Sequence, residues 1–275
     1  MKRYLSIPAM AAVILTSCNK QEDLGAPQDT SKAEFFFNDV NNVTDEACST
    51  SDIETLKSSD GIAAGCFTIT SDTMSFPHTV IIDFGSANCL CADGRNRRGV
   101  INVSFTGRYR DAGTVITITT SNYFVNDNQI IGTHTITHMG LNANDHPYYG
   151  VVVSGEIILA DGSGTITWNI TRTREWIQGS STPEFSDDIY SIIGGGAGTS
   201  AGGAGTSAGG AEINVQITAP LIRKLEPGCR MHFVSGIVEV TPGTLATRTL
   251  DFGNGDCDNI ATVTANGNTY TITLN

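Results

Sequence analysis

Residues 114–124 read Thr-Val-Ile-Thr-Ile-Thr-Thr-Ser-Asn-Tyr-Phe. Ile116, Ile118 and Phe124 interleave with Thr117, Thr119 and Ser121, the period of two that marks a strand with one apolar and one wet face. The pattern recurs at residues 133–139, 151–159, 165–170 and 270–274. Between the repeats stand turn formers: Asp111-Ala112-Gly113, Asn126-Asp127-Asn128, residues 142–147 and Asp161-Gly162-Ser163-Gly164. Such short connections favour consecutive antiparallel hairpins, and no stretch after residue 60 carries a convincing helical period. The expected fold is all-β: a twisted antiparallel meander, sandwich-like and disulfide-braced. A sheet with a Thr-rich face and an apolar face has to cover the apolar one with a second layer, and the unit from Cys229 to Leu274 is a candidate for it. The Thr rows also suit an ice-binding array, but Thr is a common solvent-face residue of antiparallel sheets because it favours strands and tolerates water.

The N-terminus has a different character. Lys2 and Arg3 precede an apolar run, Leu5 to Leu15, broken only by Ser6 and Pro8. The run is shorter than the ~20 residues that span a bilayer, so it reads as an export signal. It ends in Leu15-Thr16-Ser17-Cys18, which resembles the lipobox of bacterial lipoprotein signal peptides. The resemblance implies cleavage before Cys18 and acylation of its thiol, and multiple acyl chains make a stable membrane anchor. The segment Asn19-Lys20-Gln21-Glu22-Asp23 resembles the acidic export tags of lipoproteins sent to the outer face of the outer membrane, and equally suits a plain solvated tether. The remainder resembles all-β envelope lipoproteins of diderm bacteria. The expected address is therefore the outer membrane, lipid-anchored, on its surface or periplasmic side.

Without Cys18, six of the seven cysteines remain: Cys48, Cys66, Cys89, Cys91, Cys229 and Cys257. An even count in an exported chain suggests three disulfides with 15 conceivable pairings. An internal echo narrows them. Residues 79–85, Thr-Val-Ile-Ile-Asp-Phe-Gly, precede Cys89; residues 247–253, Thr-Arg-Thr-Leu-Asp-Phe-Gly, precede Cys257. An earlier cysteine, Cys66 or Cys229, stands before each. The echo suggests Cys66–Cys89 and Cys229–Cys257, leaving Cys48–Cys91. Zinc is disfavoured because no C-x-x-C occurs.

The chain carries a formal net charge of −12, or −14 once Lys2 and Arg3 are removed with residues 1–17. An acidic surface is repelled by phosphate backbones and anionic headgroups. This argues against nucleic acid as a partner and assigns membrane contact to lipid. The expected organisation is a signal peptide (1–17), a flexible tether (18–47) with Phe35-Phe36-Phe37 as a first strand, and an antiparallel β domain (48–193). A Gly/Ala/Ser low-complexity loop (194–211) follows, then a C-terminal β unit (212–275) packing on the same domain. One or two helical turns are expected at residues 51–57.

No motif assembles into catalytic or cofactor chemistry. Gly198-Thr199-Ser200-Ala201-Gly202 matches a nucleophile elbow but lacks the flanking strand and helix that would strain the serine. The glycine pattern at residues 196–201 lacks a βαβ context. His134 and His138 share one face of a strand, roughly 13 Å apart, too far for one metal ion; two histidines satisfied separately at the sheet margin are expected. Asn254, Asp256, Asp258 and Asn259 cluster oxygen donors but read equally as an Asx-rich turn. Trp168 is expected in the core. Tyr148, Tyr149 and Trp176 are the candidate ligand contacts, as a platform for a sugar face or a protein partner. The expected function is a non-enzymatic, envelope-anchored binding or structural role. A glycan-binding accessory protein is one alternative. The other is an extracytoplasmic hydrolase using carboxylates such as Asp83, Asp93, Glu156 or Glu175.

Overall fold

The computed structural model describes residues 16–50, 63, 65–182, 184–201 and 210–274, with helix side chains described over 24–48. Among the described residues, one helix, α1 (Thr16–Thr50), precedes fourteen strands. The first half comprises β1 (Thr68–Asp72), β2 (His78–Asp83), β3 (Cys89–Leu90), β4 (Asn96–Phe105), β5 (Val115–Val125), β6 (Asn128–Leu141) and β7 (Pro147–Ile158). The second comprises β8 (Thr165–Gln178), β9 (Ile189–Thr199), β10 (Glu212–Lys224), β11 (Ser235–Pro242), β12 (Arg248–Asn254), β13 (Ile260–Ala265) and β14 (Asn268–Thr273). All belong to one antiparallel sheet in which neighbours follow chain order; the short β3 alone lies off the path, paired to β4. The meander predicted from period-two alternation is present throughout.

What covers the apolar face is α1. From Leu24 to Cys48 nearly every side chain is buried, on all sides of the helix, and Gln28 is the one exposed position. The helix touches β2, β4, β8, β11, β12 and β13, so the sheet curls around it and strands on opposite sides face one another across it. The inner face contributes alternate residues: Ile116 and Ile118 on β5, Ile130 and Ile136 on β6, Ile166, Trp168 and Ile170 on β8, Val238 and Val240 on β11. A helix buried all round needs apolar surface all round, and Phe35, Phe36, Phe37, Val40 and Val43 supply it. Phe37 lies in a notch between Gly132 and its cross-strand partner Gly155: a Cβ at either position would stand 3.2 or 3.0 Å from its ring.

Several expectations are corrected. Residues 18–47 are helix, not a flexible tether, and Phe35-Phe36-Phe37 are helical, not a strand. Asp29, Glu34, Asp39, Asn41 and Asn42 find partners inside the molecule, which composition alone cannot reveal. Residues 194–199 are the end of β9, and residues 212–275 extend the same sheet instead of layering on it. Phe124 does not share the face of Ile116 and Ile118. A register shift between Thr119 and Tyr123, with Asn122 at φ 47°, turns Tyr123 and Val125 inward. The cause sits on β4, where a Cβ on Gly99 (φ 94°) would lie 1.9 Å from the Asn122 carbonyl oxygen. The signal run over residues 1–15 and the helical turns expected at 51–57 lie outside the described residues.

Two disulfides, Cys66–Cys89 and Cys229–Cys257, close the units that the sequence echo suggested. The third does not form: Cys48 and Cys91 are both buried thiols. Cys91 sits beside Arg97, which is bound to Asp39 of the helix. Cys48 follows nine residues after Asp39, about 13 Å further along the axis, well beyond the ~4.4–6.8 Å Cα separation that a disulfide tolerates.

Candidate functional site

The chemistry of this molecule is concentrated between helix and sheet. Five acidic residues of α1, Asp29, Glu34, Asp39, Asp45 and Glu46, lie in a lumen whose walls carry Arg97, Arg172, Arg174, Arg223 and Arg230. The contacts run the length of the helix. Near its start, Asp29 Oδ2 accepts from the Ser200 hydroxyl (2.5 Å) and the Ala201 amide (2.9 Å), and Lys32 pairs with Asp29 at 3.3 Å. One turn on, both guanidinium N–H₂ groups of Arg172 donate to Glu34, one of them at 2.7 Å.

Midway, Arg97 is fully buried between two carboxylates. It donates to Asp39 at 3.2 and 2.5 Å and to Asp93 at 2.9 and 2.6 Å, while the Tyr123 hydroxyl donates to Asp39 at 2.9 Å. Burial alone would raise the Asp93 pKa, but the hydrogen bonds and charges of Arg97 and Arg95 outweigh it and hold the carboxyl below its usual range. Towards the C-terminal end, Arg223 donates to Asn42 Oδ1, and Asn42 donates to the Arg230 carbonyl at 3.3 Å. Glu46 accepts from the Ala63 amide at 3.0 Å. Asp45 has its pKa raised by burial against the opposing pull of Arg174 and Arg223.

These pairs fix position more than they add stability. Desolvating two charges costs several kcal/mol per ion, which the mutual attraction offsets only with good geometry. A helix with apolar residues on every side would otherwise slide or rotate in an apolar tube. Acid–arginine pairs at successive turns accept one register.

His134 and His138 both face this lumen, 1% and 7% exposed, rather than the sheet margin. The imidazole Nδ1–H of His134 donates to Asn41 Oδ1 at 3.0 Å, and its ring packs 5.4 Å from that of Phe37. His138 packs 4.9 Å from Tyr149. Burial pushes the His134 pKa down to about 4. The unfolded chain therefore binds this proton first as pH falls, so stability is complete above about pH 6.5 and declines towards pH 4. The decline expected from this one residue is about 3 kcal/mol. Chemical denaturation of His134→Gln between pH 7 and 4.5 should show a shallower loss than the wild type; parallel curves would count against the assignment.

The ligand-contact candidates separate. Tyr149 and Trp176 point into the lumen and are buried, whereas Tyr148 is half-buried on the other face of β7. Trp176 Nε1 donates to Asp188 at 3.0 Å, and Arg174 lies 4.9 Å from the ring centres of both Tyr149 and Tyr190. The three do not form an exposed platform, because strand alternation puts Tyr148 and Tyr149 on opposite faces. Trp168 is fully buried, as the alternation required. The carboxylates considered for hydrolysis are engaged separately. Asp83 caps the Gly85 amide, Asp93 binds Arg95 and Arg97, and Glu175 binds His146 and Asn142. Glu156 lies half-buried on β7. Among the described residues, Glu226, Cys229 and Cys257 alone approach a metal-ligand cluster, and the two sulfurs are bonded to each other.

Two larger concavities are lined by described residues. One, of about 530 Å³, opens where the helix enters the sheet and is lined by Lys32, Phe35, Phe36, Asp93, Arg95 and Asp161 among others. The other, about 450 Å³, is a shallow groove on the outer face lined by Asn169, Asn214, Thr167, Thr199, Thr241 and Glu212 among others.

No family model, curated protein or solved structure matches this chain. Among the described residues no helix is long and apolar enough to cross a membrane.

Proposed function

We propose that this chain is an envelope-anchored lipoprotein with a non-enzymatic binding or structural role, carried on Cys18 by lipid at the outer membrane. The observation that supports this reading is the continuity of α1. The helix runs from Thr16 into the buried stretch described from Leu24 onward. An acylated Cys18 would stand six residues before Leu24, about 9 Å of helix. The acid–arginine pairs would then transmit the anchor rigidly into the sheet. Such a protein stands on the membrane with the ends of β5, β7 and β9 towards it, rather than sampling a wide volume on a loose leash. A rigid mount suits a scaffold or a docking post.

The test is membrane fractionation of wild type and Cys18→Ala, followed by protease treatment of intact and lysed cells. The wild type is expected in the membrane fraction and Cys18→Ala in the soluble fraction. In both, Lys32, Glu34 and Glu46 should resist cleavage at protease levels that leave the sheet intact. Equal partitioning of the two proteins would refute the anchor. Rapid cutting inside residues 24–48 would refute the rigid mount. Digestion in intact cells would place the domain on the surface, and digestion only after lysis would place it in the periplasm.

A further inference from the structure

The concavity of about 530 Å³ at the mouth of the sheet falls within the ~300–1,000 Å³ of small-molecule sites. Measured contacts tie its walls together. Lys32, Phe35 and Phe36 come from α1, where spacings of three and four put them on one face of the helix. The Phe35 and Phe36 ring centres are 5.2 Å apart, and the Arg95 guanidinium carbon stands 4.7 Å from the centre of Phe35. Across from them, Leu159 and Asp161 are carried on the turn after β7, which Asn128 holds by accepting the Ala160 amide at 3.0 Å. Phe35, Phe36 and Leu159 thus give an apolar floor, with Lys32, Arg95 and Asp161 around it.

The cations of this rim are incompletely used. Arg95 donates from Nη1 to Asp93 at 2.9 Å, but Asp93 also serves Arg97, at 2.9 and 2.6 Å. One carboxylate is therefore divided between two guanidiniums, and Arg97 alone has a second, Asp39. The Nε and Nη2 groups of Arg95 meet no acceptor among the described residues. Those two nitrogens form the edge of a guanidinium that matches both oxygens of a carboxylate. Stacking on Phe35 and the bond to Asp93 hold the group in place, so little freedom is lost on binding. Lys32 spends one of its donors on Asp29, at 3.3 Å, and has two more. Asp93 and Asp161 bound the same space, which disfavours a dianion such as a phosphate monoester and admits a single negative charge.

We propose that this mouth is a binding site for a small organic monocarboxylate, its carboxylate held by Arg95 and drawn in by Lys32, its apolar part resting on Phe35, Phe36 and Leu159. The site gives the binding role a ligand class. It is built from residues 32–161 and does not involve Cys18.

The test is an NMR titration of the full-length chain, carrying Cys18→Ala to keep lipid out of the sample, with sodium benzoate at constant ionic strength. Saturable shifts are expected at the amides of Phe36, Asn128, Leu159 and Ala160. Benzamide, the neutral compound of the same shape, should bind about tenfold more weakly, as should benzoate to Arg95→Gln, since a hydrogen-bonded charge is lost in each case. Lys32→Gln should weaken benzoate by a smaller factor, about threefold. If Arg95→Gln does not fold, Arg95→Lys, which keeps the charge and loses the planar fork, should weaken binding in the same direction. Equal binding of benzoate and benzamide, tighter binding of phenyl phosphate, shifts that never saturate, or an Arg95 variant that binds as the wild type does would each overturn the proposal. None of these outcomes bears on Cys18, so failure here leaves the proposed anchoring standing, and failure of the anchoring leaves this site standing.

Discussion

Arg97→Ala is expected to lower the unfolding free energy by about 4–5 kcal/mol, measured by urea denaturation at pH 7. Arg97 is fully buried and holds Asp39 and Asp93 at once. Removing it strands Asp39, wholly inside the protein, and leaves Asp93 to Arg95 alone at 2.9 Å, and breaking a buried pair from one side costs about 3–5 kcal/mol. Tyr123 alone would remain as a donor to Asp39, too little to compensate a charge. Asp39→Ala should cost less, about 3 kcal/mol, because Asp93 still neutralises the guanidinium at 2.6 Å. The loss should also depend on pH. In the wild type, Asp93 has a lowered pKa, so its contribution is present above the unfolded carboxylate range and fades in acid. In Arg97→Ala the Asp93 carboxyl is easier to protonate, and the gap between variant and wild type should narrow as pH falls towards 4. A gap below 1 kcal/mol at neutral pH, or one independent of pH, would contradict the lock.

The second large effect concerns Glu34 and Arg172, which join the helix to β8. Glu34→Ala alone should cost about 3–5 kcal/mol, since it leaves an unpaired guanidinium in the lumen. The paired replacement Glu34→Met with Arg172→Met should recover most of that loss and come within about 1–2 kcal/mol of the wild type, because apolar side chains of similar volume avoid the desolvation cost. The double-mutant cycle isolates the coupling. The paired variant should then show what the ion pair is for: with a lock gone, hydrogen exchange of α1 amides should quicken although global stability is nearly kept. Unchanged exchange would show that apolar packing alone fixes the helix.

The sheet was legible in the chain because its signal is local. Alternation at residues 114–118 and 165–170, turn formers between strands and the echoed Thr-to-Gly segments before Cys89 and Cys257 each sit within a few residues of what they specify. The limits were local too. The bulge opposite Gly99 reverses the facing of Phe124 and Tyr123, and nothing in residues 119–123 announces it, since the cause lies on the neighbouring strand.

The helix is where sequence reasoning failed. Residues 24–48 mix Phe35-Phe36-Phe37 with Asp29, Glu34, Asp39, Asp45 and Glu46 and show no wet face to separate from a dry one. An amphipathic test looks for two sides, and a helix enclosed by a sheet has only one environment. The arginines gave a faint hint: Arg172 and Arg174 stand on the same face as Trp168 and Trp176, an odd choice for a core strand unless acids await them. The same face carries Trp176, expected in a platform with Tyr148 and Tyr149, and the burial of Tyr149 and Trp176 excludes that platform.

By itself the sequence determined the alternating strands, their meander order and two of the disulfides, because each depends on neighbours in the chain. Only the tertiary structure decided that an acidic segment fills the sheet, that Cys48 and Cys91 stay apart, and that Arg97 and Arg172 meet their carboxylate partners on the helix. Those outcomes depend on pairing charges up to 138 residues apart, and the cost of burying a charge is settled only when its partner arrives.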